Sequence, residues 1–341
     1  MPLSTNDSAV FPRLKPISLG PVTLDMPVLL APMAGVTDMP FRRLVKKHGA
    51  GLVYSEMIAS QAMVREARKT LQMIPQAYEE QPVAVQLSGC EPDVMAEAAR
   101  LNEDRGAPII DVNFGCPVKK VVKGDAGASL MRNEGLAAKI LGAVVKAVAV
   151  PVTVKMRLGW SHDNLNAPRL AKIAEDCGVK MITVHGRTRN QFYEGKSNWA
   201  LIRPVKEAVK IPVIANGDVV DFSDALHALE QSGTDGLMIG RGAYGRPWFI
   251  GQVMEYLRTG NIGEPPVLKA RRAMVLEHLE AMLAFYGAHA GLRIARKHIG
   301  WYSKGLPQSA EFRAAINHCD DQHKAHQLIY DFFQPLQEKA A

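Results

Sequence analysis

Cysteine is scarce in this chain. Its four copies, Cys90, Cys116, Cys177 and Cys319, stand far apart with no C-x-x-C pair. That spacing excludes the common zinc-site patterns and offers no disulfide framework. Long apolar runs are missing too, since no stretch reaches the ~18 residues needed to cross a bilayer. The opening segment, Met1 to Val10, is polar and lacks an apolar signal core. The expectation is a cytoplasmic protein with no membrane attachment and no metal. Acidic residues fall short of basic ones, 34 against 41, leaving a net charge of +7 and a pI near 9.2. An anionic partner suits that balance, but charge alone does not choose between a nucleic acid and a phosphorylated ligand.

Apolar residues, by contrast, are plentiful, at 47% of 341 residues. Short β-rich runs recur along the chain: Pro27–Ala31, Leu52–Ser55, Val83–Leu87, Ile109–Asn113, Val152–Lys155, Met181–Val184, Val213–Ala215 and Gly236–Ile239. Their hydrophobicity is continuous rather than alternating, as in parallel strands buried on both faces. Helical patterns lie between them. Glu91–Arg105 carries Pro92 in its first turn, Asn133 can cap a helix running to Val148, and Ser223–Gln231 stops before Gly233. Eight β-then-α units predict an α/β fold of the (β/α)₈ TIM-barrel type, favoured over two stacked Rossmann halves. Beyond Leu257 the pattern changes. Arg258–Pro266 reads as a linker, and Val267–Ala290, Leu292–Lys304 and Ala310–Gln337 read as helices. The expected division is a barrel over residues 1–257 and a three- or four-helix bundle over 258–341.

In such a barrel the working residues stand where strands end. Polar residues interrupt the apolar runs at all eight ends, which together would form one rim. Asn216-Gly217-Asp218 and Gly240-Arg241-Gly242 close the last two strands, the usual place for a phosphate. Glycine lets backbone N–H groups approach an anion, and the Arg241 guanidinium can clasp it, although plain turn glycines would look the same. The run Gly240-Arg241-Gly242-Ala243-Tyr244-Gly245 fits G-x-G-x-x-G. No strand follows the helix Trp248–Leu257, so the dinucleotide-fold reading is rejected.

Lys155 can form a Schiff base or hold an anionic cofactor atom as a point charge. Gln86 offers a donor and an acceptor suited to a uracil-like ring edge. His185 can reach a ring or a phosphate, and Met33 with Ala34 can supply an apolar floor. One phosphate cradle and one set of ring contacts favour FMN. Cys116 lies in a long Gly- and Lys-rich loop from Phe114 to Arg132, and loops of that length tend to be functional. Its thiol, mostly protonated at neutral pH, can act as an acid. Cys90, Cys177 and Cys319 read as packing residues.

These segments resemble the tRNA-dihydrouridine synthases, most of all their bacterial B-type branch. The resemblance rests on Ala31-Pro32-Met33-Ala34-Gly35-Val36-Thr37-Asp38, Asn113-Phe114-Gly115-Cys116-Pro117, Lys155-Met156-Arg157, His185-Gly186-Arg187-Thr188-Arg189, Asn216-Gly217-Asp218, Ile239-Gly240-Arg241-Gly242-Ala243 and the stretch Arg296–Tyr302. It implies a tRNA substrate, bound FMN and NADPH as transient reductant. By position it implies Pro32, Met33 and Ala34 lining the flavin, with Gln86 and Lys155 on its ring. His185 would help hold it, and Asn216, Gly217, Asp218, Gly240 and Arg241 would take its phosphate end. Cys116 would be the proton donor. Arg293, Arg296, Lys297, Lys304 and Arg313 form a basic run expected to meet RNA, with Trp301 and Tyr302 as stacking partners. The rival readings are an FMN enzyme of a free pyrimidine, like dihydroorotate dehydrogenase, a tRNA-binding chaperone without turnover, and a Schiff-base aldolase.

Overall fold

A computed structural model of the protein describes residues 14–65 and 81–340. Eleven strands are found among them. A short antiparallel hairpin, β1 (Ile17–Leu19) and β2 (Val22–Leu24), comes first. The parallel strands follow: β3 (Val28–Leu30), β4 (Val53–Tyr54) with its short continuation β5 (Ile58–Ala59), β6 (Val83–Ser88), β7 (Ile109–Phe114), β8 (Val152–Arg157), β9 (Met181–His185), β10 (Val213–Asn216) and β11 (Gly236–Ile239). Their order runs β3-β11-β10-β9-β8-β7-β6-β4. A bridge between Leu29 and Leu52 closes the ring, with Leu30 N–H donating to Leu52 O at 3.0 Å. This is the expected barrel.

Both faces of each strand are buried, for different reasons. Inward residues, including Leu29, Tyr54, Ala84, Ile109, Met181, Ile214 and Met238, form one core cluster with Ile17, Leu19 and Leu24 of the hairpin, which therefore plugs the barrel. Outward residues such as Val28, Val85, Val112, Val154 and Val184 pack in a second cluster with the surrounding helices. The hairpin has no counterpart in the sequence reading. Its strands are three residues each and turn at Gly20, whose φ of +56° suits glycine.

Helix starts follow the local chemistry. Asn133 accepts from Leu136 N–H and opens Glu134–Ala147, while Pro92 sits at the start of Pro92–Asp104. Asp221 and Asp224 form a reciprocal capping box on Phe222–Ser232, which ends at left-handed Gly233. The helix expected to stop at Leu257 runs on to Thr259 and ends at Gly260, inside the segment read as linker. Four helices follow: Leu268–Tyr286, Ala288–Tyr302, Ser309–Asn317 and Gln322–Ala340. The first break falls at Gly287 and not beside Gly291, which lies within the second helix because that helix needs a residue without Cβ there. A Cβ on Gly291 would stand 2.4 Å from Met282 O. The span read as one helix from Ala310 to Gln337 is two, parted after Asn317. These helices share a core that also takes in Leu44 and Trp248 from the barrel side.

Candidate active site

Strand period places the site. Inward positions recur every second residue, so Gln86 shares a face with Ser88, Asp111 with Asn113, Lys155 with Arg157, and His185 with Arg187. The strands run one or two residues past the limits read from the sequence, which sets Gln86 and Lys155 inside the barrel mouth. A cavity of about 570 Å³ opens there. All twelve expected residues line it: Pro32, Met33, Ala34, Gln86, Cys116, Lys155, His185, Asn216, Gly217, Asp218, Gly240 and Arg241.

A buried hydrogen-bond chain organises one wall. Thr153 Oγ1 donates to Asp111 Oδ1 at 2.6 Å, Gln86 Nε2 to Asp111 Oδ2 at 2.7 Å, and Asn113 Nδ2 to Gln86 Oε1 at 2.7 Å. Asn113 Oδ1 in turn accepts from the N–H groups of Gly115 (3.1 Å) and Cys116 (2.9 Å). Gln86 thus spends one amide proton and one lone-pair direction on the protein and keeps the others for a ligand. Burial pushes the Asp111 carboxyl up to about 6, against the hydrogen bonds from Gln86 and Thr153.

The segment after β7 is not the open loop expected from its glycines and lysines. It folds into a helical turn at Lys119–Val122 and a 3₁₀ turn at Gly127–Arg132. Ala128 N–H donates to Cys116 O at 3.0 Å. Gly127, at φ +60°, packs so closely that a Cβ would meet Cys116 O at 2.9 Å. From the other side, buried Arg157 donates from Nε to Gly115 O and from Nη1 to the carbonyls of Thr188 and Phe192, each at 2.8 Å. The cysteine is therefore held by three elements. Burial raises its thiol pKa above the ordinary value, although the nearby charges of Arg157 and Lys155 pull the other way. Burial and then Arg157 depress Lys155 to about 8. Its ammonium has no hydrogen bond or ion pair among the described residues.

The glycine segments form the opposite wall. Gly217 (φ +116°) and Asp218 (φ +55°) turn the chain sharply after β10. The backbone N–H groups of Gly217, Asp218 and Arg241 have no hydrogen-bond partner among the described residues. A Cβ on Gly217 would lie 2.7 Å from the His185 ring, so glycine is required there. The Asp218 carboxylate does not face the cavity free. It accepts from Arg187 (2.9 Å at Oδ1), Arg241 (3.0 Å) and Ser197 N–H (2.8 Å). Burial opposes its ionisation, yet these partners outweigh it and lower the pKa. His185 is kept neutral by burial and by the cations around it, and Arg187 donates to its Nε2 at 3.3 Å, which leaves the ring proton on Nδ1.

Sequence reasoning gave no role to Asp111, Asn113, Arg157 or Arg187, although alternation from Lys155 and His185 could have found Arg157 and Arg187. Tyr193 and Tyr244, which also line the cavity, carried no such signal. The basic run also differs from expectation. Arg296 donates to Cys319 O and pairs with Asp320, Lys297 donates to Gly35 O, and Arg313 donates to Ser309 Oγ. Trp301 stacks on Tyr244 with centroids 4.1 Å apart, and Tyr302 is buried with its hydroxyl on His278 Nδ1 at 3.2 Å. Tyr302 is thereby withdrawn from an RNA base, and Trp301, half-buried, has one face taken by Tyr244. Only Arg293 and Lys304 of that run are exposed without an ion-pair partner among the described residues.

Fold and site together define a (β/α)₈-barrel enzyme with its chemistry at the C-terminal ends of the strands. Similar folds occur in solved structures, among them histamine dehydrogenase from Rhizobium sp. 4-9, with a TM-score of 0.56 at 12% identity over 78% of this chain and 50% of that one. The chain belongs to the dihydrouridine synthase family, whose description "Dihydrouridine synthase (Dus)" matches residues 29–338. A probable tRNA-dihydrouridine synthase of Rickettsia bellii is 58% identical over 93% of this chain and 98% of its own length. Relatives named tRNA-dihydrouridine synthase B share 51% in Xanthomonas campestris (94% of this chain, 96% of the relative) and 46% in Pseudomonas aeruginosa (94% and 97%). Among the described residues no helix is long and apolar enough to cross a membrane, and no group of side chains could hold a metal ion.

Proposed function

We propose that the protein reduces the C5=C6 bond of uridine in the D-loop of tRNA to 5,6-dihydrouridine in the cytoplasm, with FMN in the barrel mouth and NADPH as electron source. The observation that carries this reading is the meeting, in one cavity, of a thiol whose burial favours its protonated form, a half-buried lysine and a cradle of N–H groups, the last two without partners among the described residues. The residues fit FMN. Gly217, Asp218 and Arg241 offer backbone donors at the phosphate position, and Arg241 adds its guanidinium. Lys155 suits the electron-rich edge of the ring, Gln86 has hydrogen-bonding capacity to spare, and Pro32, Met33 and Ala34 supply the apolar side. Bound and reduced, the flavin supplies hydride to C6 of the uracil.

Cys116 completes the addition by giving its S–H proton to C5, and solvent later reprotonates the sulfur. Burial keeps the thiol protonated until then, while Arg157 and Lys155 stabilise the thiolate it becomes. Asn113 and Arg157 fix the Gly115–Cys116 backbone and with it the direction of proton delivery. A uracil stacked in folded RNA must be extruded to reach the mouth, which costs a few kcal/mol. Phosphate contacts offset that cost. Lys119, Lys120 and Lys123, exposed just after Cys116 and without ion-pair partners among the described residues, are the best placed to make them. The test supplies the FMN-loaded protein and NADPH with unmodified tRNA, with free uridine and with dihydroorotate. Reduced uridine in tRNA alone is expected. Turnover of the free pyrimidines with none on tRNA overturns the reading.

A further inference from the structure

Pro32, Met33 and Ala34 belong to a tight loop ending at Asp38. Val36 and Thr37 N–H both donate to Met33 O, at 2.9 and 3.0 Å, and Met33 N–H donates to Thr37 Oγ1 at 2.9 Å. The loop is rigid within itself, so its place depends on what holds its outer turn. Gly35, at φ +75°, is that turn. Its N–H donates to the Glu56 carboxylate at 2.5 Å, and its carbonyl accepts from the Lys297 ammonium. An anion and a cation thus hold the two polar groups of one residue, both through charge-assisted bonds. Glu56 comes from the barrel, whereas Lys297 comes from the helix Ala288–Tyr302, 262 residues away in sequence. A second tie runs beside it, Tyr286 Oη donating to Asp38 Oδ2 at 3.2 Å.

We propose that Lys297 is a positioning residue: from the helical domain it fixes the loop that places Met33 and Ala34 against the ligand in the barrel mouth. The proposal rests on the flavin reading for its ligand but not for its geometry. It assigns Lys297 to the active site through Gly35 and removes it from the RNA-contacting surface. The helical domain thereby shapes the cofactor pocket as well as any RNA platform.

The test compares Lys297→Met, which keeps the stem and loses the donor, with Lys297→Arg, which keeps a donor. In RNA-free protein, Lys297→Met is expected to bind FMN about tenfold more weakly and Lys297→Arg to recover most of that loss, in line with one charged hydrogen bond partly replaced by water. Amide exchange at Gly35, Val36 and Thr37 in flavin-free protein should quicken in Lys297→Met, and the salt slope of tRNA binding should stay as in the wild type. Tyr286→Phe should give a smaller change of the same kind. Unchanged exchange overturns the proposal, as does unchanged FMN affinity with a flattened salt slope, which would make Lys297 a phosphate contact. A loss that Lys297→Arg does not recover, with a lowered melting temperature, reduces the residue to a general structural role and also overturns it. Wild-type protein that takes up no FMN refutes the flavin reading instead, and the exchange measurement then decides the proposal alone.

Discussion

The barrel mouth and the C-terminal helices spend their charges differently. In the mouth, charged groups sit at strand ends with one side turned to the cavity. Lys155 has no ion-pair or hydrogen-bond partner among the described residues, and Arg241 is half-exposed beside Asp218. Among the C-terminal helices, Arg296 and Arg313 hold a carbonyl, a carboxylate and a hydroxyl of the same helical region. A cluster of positive residues in sequence is therefore no surface patch until the carbonyls around it are known. The lysines beside Cys116, fewer in number, present more free charge.

The largest loss is expected at the thiol. Cys116→Ala should leave FMN bound and lower dihydrouridine formation by about a hundredfold or more, the usual scale for a lost general acid. Product yield and flavin absorbance measured on the same sample check it. The cradle should give next. Arg187 is buried, and Arg187→Met should cost about 3 kcal/mol by leaving Asp218 short of its main partner, together with much weaker FMN binding, read by thermal melting and flavin titration.

A third test sets the two basic regions against each other. Changing Lys119, Lys120 and Lys123 to Gln should lower the salt slope of tRNA binding by about 0.7 to 0.9 per lost contact. Arg296→Gln should leave the slope alone and lower the melting temperature. Acidity sharpens the picture further. Lys155 in the flavin-free protein has its pKa depressed to about 8, so its charge, and with it FMN association, should fade as pH rises through that value. The smallest effect concerns Asp38, whose carboxyl burial raises from 3.8 to about 7. A raised carboxyl pKa favours the folded state at low pH, and that contribution disappears as pH climbs through about 7. Asp38→Asn keeps an N-cap and should lose less melting temperature than the wild type between about pH 4 and 7.

The barrel was legible because eight buried strands write continuous apolar runs, and the rim was legible because polar residues end them. Asn133 and Gly233 marked helix limits through their own side-chain or backbone chemistry. The plugging hairpin left no mark, since three-residue strands carry too little pattern. The helix break at Gly287 was hidden by Gly291, whose absent side chain serves packing and not a turn. In the site, residues facing the cavity were readable one strand at a time. Partnerships across strands, such as Asp111 with Gln86 or Arg187 with Asp218, depend on register and were not. The ties of Lys297 and Trp301 to the rim lie beyond any local signal, because their partners are distant in sequence.

On this reading, reducing power held in the barrel mouth passes to a base in tRNA with Cys116 supplying the proton. Anaerobic mixing of the reduced yellow protein with unmodified tRNA tests it in a single turnover. Flavin colour is expected to return in step with dihydrouridine formation, one for one, and Cys116→Ala to slow both together. Colour returning with tRNA while no uridine is reduced, or returning as fast without tRNA, would contradict it.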